Sequence, residues 1–411
     1  MKPIRAGNLN HPQQKRLHYL DWLRVLAVLG VFCAHTIYIF DTFYWHMRTE
    51  QGTPGLEAFV AFGTQWGMSL LFLLSGASSW FALHSRTAAQ FLGERFTRLL
   101  IPFLVAFVLL APLQAYVEAL MRLRHPGPFF QYFLAFFASM QISWNPQWLA
   151  AYGHHLWFLA FLFLISALAL PLLVYLKREQ GVLLVQRLAA LSVWRGGLFV
   201  FVLPLVLIQV MLRAPFPGYQ SWADFFSWLA CFVYGYILLS DPRFAQAIKN
   251  QGTIALVVGS ACYLLSMVWD AGWPFTGWHF LNWAAIPGSP AAYLLYQILW
   301  SMATWSWIIF ILYFGMRLLN TDNKVIHYGN EAVLPFYVLH YPVILLTTFY
   351  VAQLPMGVVA KLLLVATCSL LVILALYELV IRRINALRFL FGMKPRTRVV
   401  HGDVDLQEHT A

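Results

Sequence analysis

Charge is scarce in this chain. Of its 411 residues, 10% are charged and 61% are hydrophobic. Soluble domains carry about 25% charged and about 45–50% apolar residues, so a water-facing globule of ordinary composition is excluded. Acidic residues are the scarcest charges, 16 against 27 basic ones, for a net charge of +11. Cysteine is nearly absent. Cys33, Cys231, Cys262 and Cys368 lie in apolar runs without a CxxC pair. That argues against a disulfide framework or a zinc site, and no metal is expected. Soluble linkers, low-complexity segments and short repeats are missing. The polar N-terminal stretch through His18 lacks the short apolar core and small-residue cleavage site of a signal peptide. The first apolar run is expected to be its own insertion signal.

Long apolar runs are what the chain has instead. A membrane span needs about 20 apolar residues. The mean hydropathy is +0.67. Apolar runs predict spans at 20–42, 57–82, 98–121, 154–176, 196–213, 222–240, 252–270, 290–314, 331–350 and 356–381. The expected fold is all-α, a polytopic membrane helix bundle of about ten transmembrane helices. The stretch 129–150 is aromatic but broken by NPQW, and reads as an interfacial helix. The expected layout is an arm at 1–18, a transmembrane domain at 19–382 and a basic, disordered tail at 383–411. No room remains for a soluble catalytic domain, so chemistry must sit within the bundle or on short loops.

The basic residues orient the bundle. With the N-terminus inside, the inner segments hold 21 of the 27 Lys and Arg. The outer loops hold Arg48, Arg122, Arg124 and Arg213, with tryptophans at Trp45, Trp144, Trp148, Trp273, Trp278 and Trp283. The bias predicts both termini in the cytoplasm. The positive charge therefore meets anionic lipid rather than nucleic acid.

A few polar residues within the spans are left for chemistry. The first span reads YLDWLRVLAVLGVFCAHTIYIF. Arg24 and His35 are separated by eleven steps, about 16 Å of rise with about 20° of offset, so they share a helical face. Asp21 falls within about 40° of that face. Such residues face a bundle interior or cavity. The blander alternative is an interfacial Asp21–Arg24 pair and a histidine bonded to a neighbouring helix. The second span ends GMSLLFLLSGASSWF, whose small residues suit close packing; Ser75 is also a candidate ligand donor. FLGERFTRLLIP places Arg95 and Arg98 three apart at a helix start, suited to phosphate or to lipid headgroups. GHHLWFLAFLF puts His154 and His155 at the outer edge of the fourth span, with Trp157 just inside. LPFYVLHYP puts His340 near mid-membrane with Tyr337 one turn before and Pro342 after. Pro within a span is tolerated beside a cavity, and a bonded core histidine is the other reading of His340.

Taken together, LDWLR followed by His35, LLFLLSGASSWF, FLGERFTRLLIP, HLWFLAFLF and LPFYVLHYP resemble the integral-membrane acyltransferase family 3. That family includes O-acetyltransferases of bacterial surface polysaccharides and the succinyltransferase of periplasmic glucans. The resemblance covers about residues 18–380. Departures are Val25, where glycine often follows the arginine, and Ala77, where an aromatic is common; they bear on subfamily and acceptor. The resemblance implies a multi-pass protein of the bacterial cytoplasmic (inner) membrane. It implies acyl-CoA, acetyl-CoA or succinyl-CoA, as co-substrate, and a glycan or glycolipid hydroxyl outside the membrane as acceptor. The enzyme would transfer groups other than amino-acyl groups. By the same resemblance, Arg95, Arg98, Ser75 and Arg24 contact the donor. His35 is the general base, its ordinary pKa of about 6.5 being suited to that work. Asp21, Trp157, His155 and His340 are candidate substrate contacts. No carboxylate of the first span reaches His35, so an orienting partner must come from another helix. The competing class is a secondary transporter, for which intramembrane Arg and His are ordinary. Transporters usually show paired halves, and no second copy of the LDWLR–His35 segment is present.

Overall fold

The computed structural model describes residues 17–40, 54–122, 126–270 and 290–395. The arm through residue 16, the tail from 396, and Trp45, Arg48, Arg124, Trp273, Trp278 and Trp283 lie outside the described residues.

Local chemistry starts and stops the helices. Thr87 opens a capping box: its hydroxyl accepts the Gln90 N–H at 3.2 Å, and the Gln90 side chain accepts the Thr87 N–H at 3.0 Å. Asn323 caps another helix by accepting the Ile326 N–H at 3.0 Å. The helices in order are α1 (His18–Tyr38), α2 (Pro54–Ser85), α3 (Ala88–Arg95), α4 (Ile101–Met121), α5 (Phe129–Ala138), α6 (Gln147–Gly153), α7 (Trp157–Leu176) and α8 (Glu179–Val193). Then come α9 (Val202–Leu212), α10 (Trp222–Ser240), α11 (Pro242–Asp270), α12 (Pro290–Leu318), α13 (Lys324–Val351), α14 (Val358–Leu376) and α15 (Asn385–Leu390). A wide π-helical turn over Phe96–Leu100 joins α3 to α4.

Among the described residues, eight helical segments are long and apolar enough to cross a membrane. All ten expected runs fall on helices. Of the other two, Gly197–Leu212 is shorter, and the run at 252–270 forms the second half of α11. The chain is a polytopic helical bundle. Its aromatic stretch at 129–150 contains the short α5 and α6 rather than a span.

Small residues set the tightest crossing. At Gly76 of α2 a Cβ would lie 1.8 Å from the Phe232 carbonyl of α10. At Gly235 of α10 it would lie 1.9 Å from the Leu73 carbonyl of α2. The two backbones touch because neither position carries a side chain. The packing role expected of SGASS is therefore real at Gly76. Helix α1 lies against α2, α12 and α13, and this placement builds the site.

Candidate functional site

Two clusters of polar residues mark opposite ends of α1. At one end α1 meets α13. His35 Nδ1 lies 2.8 Å from His340 Nε2, and the rings stack with centroids 5.0 Å apart. His340 Nδ1 lies 2.6 Å from the Tyr337 carbonyl. A carbonyl only accepts, so His340 carries its proton on Nδ1. A neutral His340 then presents a lone pair at Nε2, and His35 donates to it from Nδ1. That leaves Nε2 as the basic nitrogen of a neutral His35.

The proline of LHYP organises the next contact. Pro342 has no N–H for the carbonyl four residues earlier, that of Val338. His155 Nε2 donates to the Val338 carbonyl at 3.1 Å. With that nitrogen protonated, a neutral His155 accepts at Nδ1, which faces the Gln114 side-chain amide at 3.2 Å. The amide NH2 is the end that satisfies it. The Tyr337 hydroxyl in turn donates to the His155 carbonyl. His155 is 5% exposed and His340 1%. Both His154 and His155 were expected at the outer edge of a span. They are buried instead, because the chain breaks between α6 and α7 at His154, whose φ is +47°, and turns the pair inward.

Tyr341 packs among these histidines, its ring centroid 5.0 Å from that of His35 and 5.4 Å from that of His155. Its hydroxyl is hydrogen-bonded to Glu118. His154 Nδ1 lies 3.4 Å from Glu118 Oε1. Trp157 stacks on Trp228 with centroids 4.9 Å apart.

A cavity of about 380 Å³ runs along α1 between α2 and α12. Leu23 and Phe314 line one end; His35, Tyr38, Tyr219 and Gln220 line the other. Gly30, Gly63 and Gly67 line its walls, and among the described residues a Cβ at any of them would meet nothing within 4 Å. His155, Trp157 and Tyr341 also face it. From Leu23 to Tyr38 the helix rises about 22 Å.

The second cluster sits one residue from Leu23. Arg24 donates to Ser78 at 2.5 Å and lies 3.3 Å from Asp21. Arg95 donates to Ser79 at 2.9 Å and covers the Phe91 ring. The two arginines thus meet adjacent serines of α2. Asp21 and Arg24 do pair, as the blander reading anticipated. Arg98 was expected to share a face with Arg95. The π-helical turn widens the angle between them, and Arg98 reaches the Gly392 carbonyl at 3.2 Å and Glu94 at 3.5 Å instead. Ser75 donates to the Leu71 carbonyl of its own helix at 2.9 Å; Ser78 and Ser79 are the serines that take the arginines.

Glu118, Gln114, Tyr341 and Gln220 were not singled out in the sequence. Tyr341 alone had a signal, its place between His340 and Pro342. Arg213, read as an outer-loop charge, is fully buried and paired with Asp224.

A family of known proteins matches nearly the whole of this membrane helix bundle. The family described as an acyltransferase domain, acyltransferase 3, matches residues 17–378. The chain belongs to that family and is a multi-pass membrane acyltransferase. It is similar to "Glucans biosynthesis protein C" of Salmonella paratyphi B (strain ATCC BAA-1250 / SPB7), at 24% identity over 398 residues, covering 92% of this chain and 95% of the relative. The proteins of that name from Salmonella agona and Salmonella enteritidis match with the same identity and coverage. No solved structure matches.

Proposed function

We propose that the chain transfers a short acyl group, acetyl or succinyl, from acyl-CoA to a hydroxyl of a glycan or glycolipid across the bacterial inner membrane. The donor enters from the cytoplasm at the Arg24–Arg95 end. The acceptor enters from outside at the His35 end. The observation that supports this reading is the His35–His340–Tyr337 chain, which leaves Nε2 of His35 as the nitrogen that would take a proton.

Arg95 and Arg24, with Arg98 beside them, hold the donor phosphates. The pantetheine arm follows the cavity along α1. His35 Nε2 takes the proton of the acceptor hydroxyl as its oxygen attacks the thioester carbonyl. The new C–O bond forms, the C–S bond breaks, and the proton passes from His35 to the leaving sulfur. His340 orients His35 and accepts from it throughout. Trp157, His155 and Asp21 shape the two entrances. The name of the Salmonella relatives makes a glucan the leading acceptor.

The test is mass spectrometry of surface glycans from cells carrying the wild-type chain or His35→Ala, together with transfer from labelled acetyl-CoA and succinyl-CoA by the purified protein. A general base contributes about 10²–10⁴-fold. His35→Ala is expected to lose transfer by that factor with membrane insertion intact. Unchanged acylation refutes the role.

A further inference from the structure

Beside the main cavity lies a second, smaller one of about 40 Å³ between α2, α9, α10 and α12. Gln65, Ser69, Gln209, Ser227, Ser301 and Thr304 line it. Thr64 and Tyr219 line both cavities and join them. We propose that this alcove binds the hydroxyl-bearing edge of a neutral sugar of the acceptor while the sugar ring stays in the main cavity; the proposal rests on the acyltransfer reading above for the identity of the acceptor.

Unmet hydrogen-bonding capacity marks the alcove. Gln65 is 3% exposed, and among the described residues neither atom of its amide has a hydrogen-bond partner. Ser301 is 2% exposed, and among the described residues its hydroxyl likewise has no partner. One turn along α12, Gln297 is fully buried with both amide atoms in the same state. Buried amides without partners are costly, so such a cluster calls for a ligand that supplies donors and acceptors together.

Charge narrows the ligand. Asp224 borders the alcove, but its carboxylate is paired with the fully buried Arg213 guanidinium. Among the described residues the remaining lining is uncharged. An anion or a cation would find no counter-charge there. An amide offers an acceptor beside a donor, which matches a hydroxyl that both gives and takes a hydrogen bond.

Shape supports the same ligand. A water molecule's share of volume is about 30 Å³, so 40 Å³ admits a hydroxyl or hydroxymethyl edge and not a ring. Tyr219 and Trp228, with ring centroids 5.7 Å apart, wall the junction. Tyr38 links the junction to the chemistry: its hydroxyl is 2.7 Å from Thr64 and its ring 6.0 Å from that of His35.

The loop facing this junction is braced. Gln220 has φ +63°, rare for a residue with a side chain. Asp224 holds it there by accepting the Gln220 N–H at 2.8 Å. Arg213 donates to the Gly218 carbonyl at 2.5 Å, and Gln147 donates to the Tyr219 carbonyl at 2.9 Å. Strain maintained by several bonds at a cavity wall is typical of a binding site. Gln220 adds another uncharged amide to the sugar's surroundings.

The test is direct binding of labelled cellotetraose, a neutral probe, to the full chain in nanodiscs without acyl-CoA, with tetragalacturonate as the anionic counterpart. Wild type is expected to bind cellotetraose at least tenfold more tightly than tetragalacturonate, about the worth of one good hydrogen bond or more. Gln65→Leu is expected to weaken cellotetraose binding about tenfold, and Ser301→Ala several-fold, with acyl-CoA binding unchanged as the control. If Gln65→Leu fails to fold, Ser301→Ala, which removes one oxygen, decides. No binding of cellotetraose, equal binding by both variants, or a preference for tetragalacturonate overturns the alcove. Gln65-dependent sugar binding without any acyl transfer would support the alcove and sink the acyltransfer reading. Transfer to glycan with binding untouched in both variants would do the reverse.

Discussion

His340 lies against His35 with their ring planes 8° apart, and the Nδ1–Nε2 contact of 2.8 Å is the shared edge. Because the Tyr337 carbonyl fixes the proton on His340 Nδ1, this contact also fixes the tautomer of His35. In the proposed reaction the orienting partner is therefore a histidine from α13, in place of the carboxylate of the familiar triads.

That role separates positioning from binding. His340→Ala removes the acceptor for the His35 Nδ1–H. The variant is expected to lower kcat by about 10–100-fold while the KM for acyl-CoA stays unchanged. His340→Gln can place an oxygen near the lost Nε2 and should recover part of the rate. Equal kcat loss in both variants, or a loss confined to KM, would remove the positioning role.

Arg95 and Arg98 are predicted to differ. Arg98 is engaged by Glu94 and the Gly392 carbonyl, whereas Arg95 points to Ser79 beside Arg24. Hydrogen bonds to charged groups are worth about 1.5–3 kcal/mol. Arg95→Gln should therefore weaken acyl-CoA binding by about 10–100-fold, and Arg98→Gln by less. Direct binding of acyl-CoA to the two variants measures the order, and equal affinity to wild type in Arg95→Gln counts against the phosphate contact.

Two glycines of α2 should respond in opposite ways. Gly76→Ala forces a Cβ against the Phe232 carbonyl. Overpacking costs about 1–3 kcal/mol, so its unfolding midpoint in detergent should fall. Gly67→Leu projects into the open cavity and meets nothing near its Cβ. Its midpoint should hold, while transfer drops by about a hundredfold through displacement of the donor arm. The same thermal response in both variants would contradict the packing described.

The Arg213–Asp224 pair offers a stability cycle. Removing one partner of a buried pair costs about 3–5 kcal/mol because the other charge is stranded. Arg213→Met should lower the unfolding midpoint strongly. The double variant Arg213→Met with Asp224→Leu should regain most of the loss, since no unpaired charge remains. Thermal denaturation of the two proteins compares them directly, and a double variant as unstable as the single one argues against this account.

The helices were legible because hydropathy is a local property. Each apolar run in the sequence lies on a helix, and the Arg24–His35 face follows from the 3.6-residue repeat alone. The motif order also carried the family. Charge counting could not distinguish Arg213, buried in an ion pair, from Arg122, which is exposed. Nor could it foresee that Ser78 and Ser79, rather than Ser75, would take the arginines. The angular relation of Arg95 to Arg98 was misread because an α-helical repeat was assumed where the backbone makes a π-helical turn.

By itself the sequence determined that the chain is a helical membrane bundle, that His35 stands on one face with Arg24, and that Pro342 must free a carbonyl. Periodicity, hydropathy and the missing proline N–H settle these within a few residues of chain. Only the tertiary structure decided that His155 donates to that carbonyl, that His340 lies against His35, and that Gln65 and Ser301 share an uncharged alcove. Those pairings join residues between 183 and 305 positions apart. They depend on which helix faces which, and that is fixed by packing such as the Gly76–Gly235 crossing rather than by any local pattern.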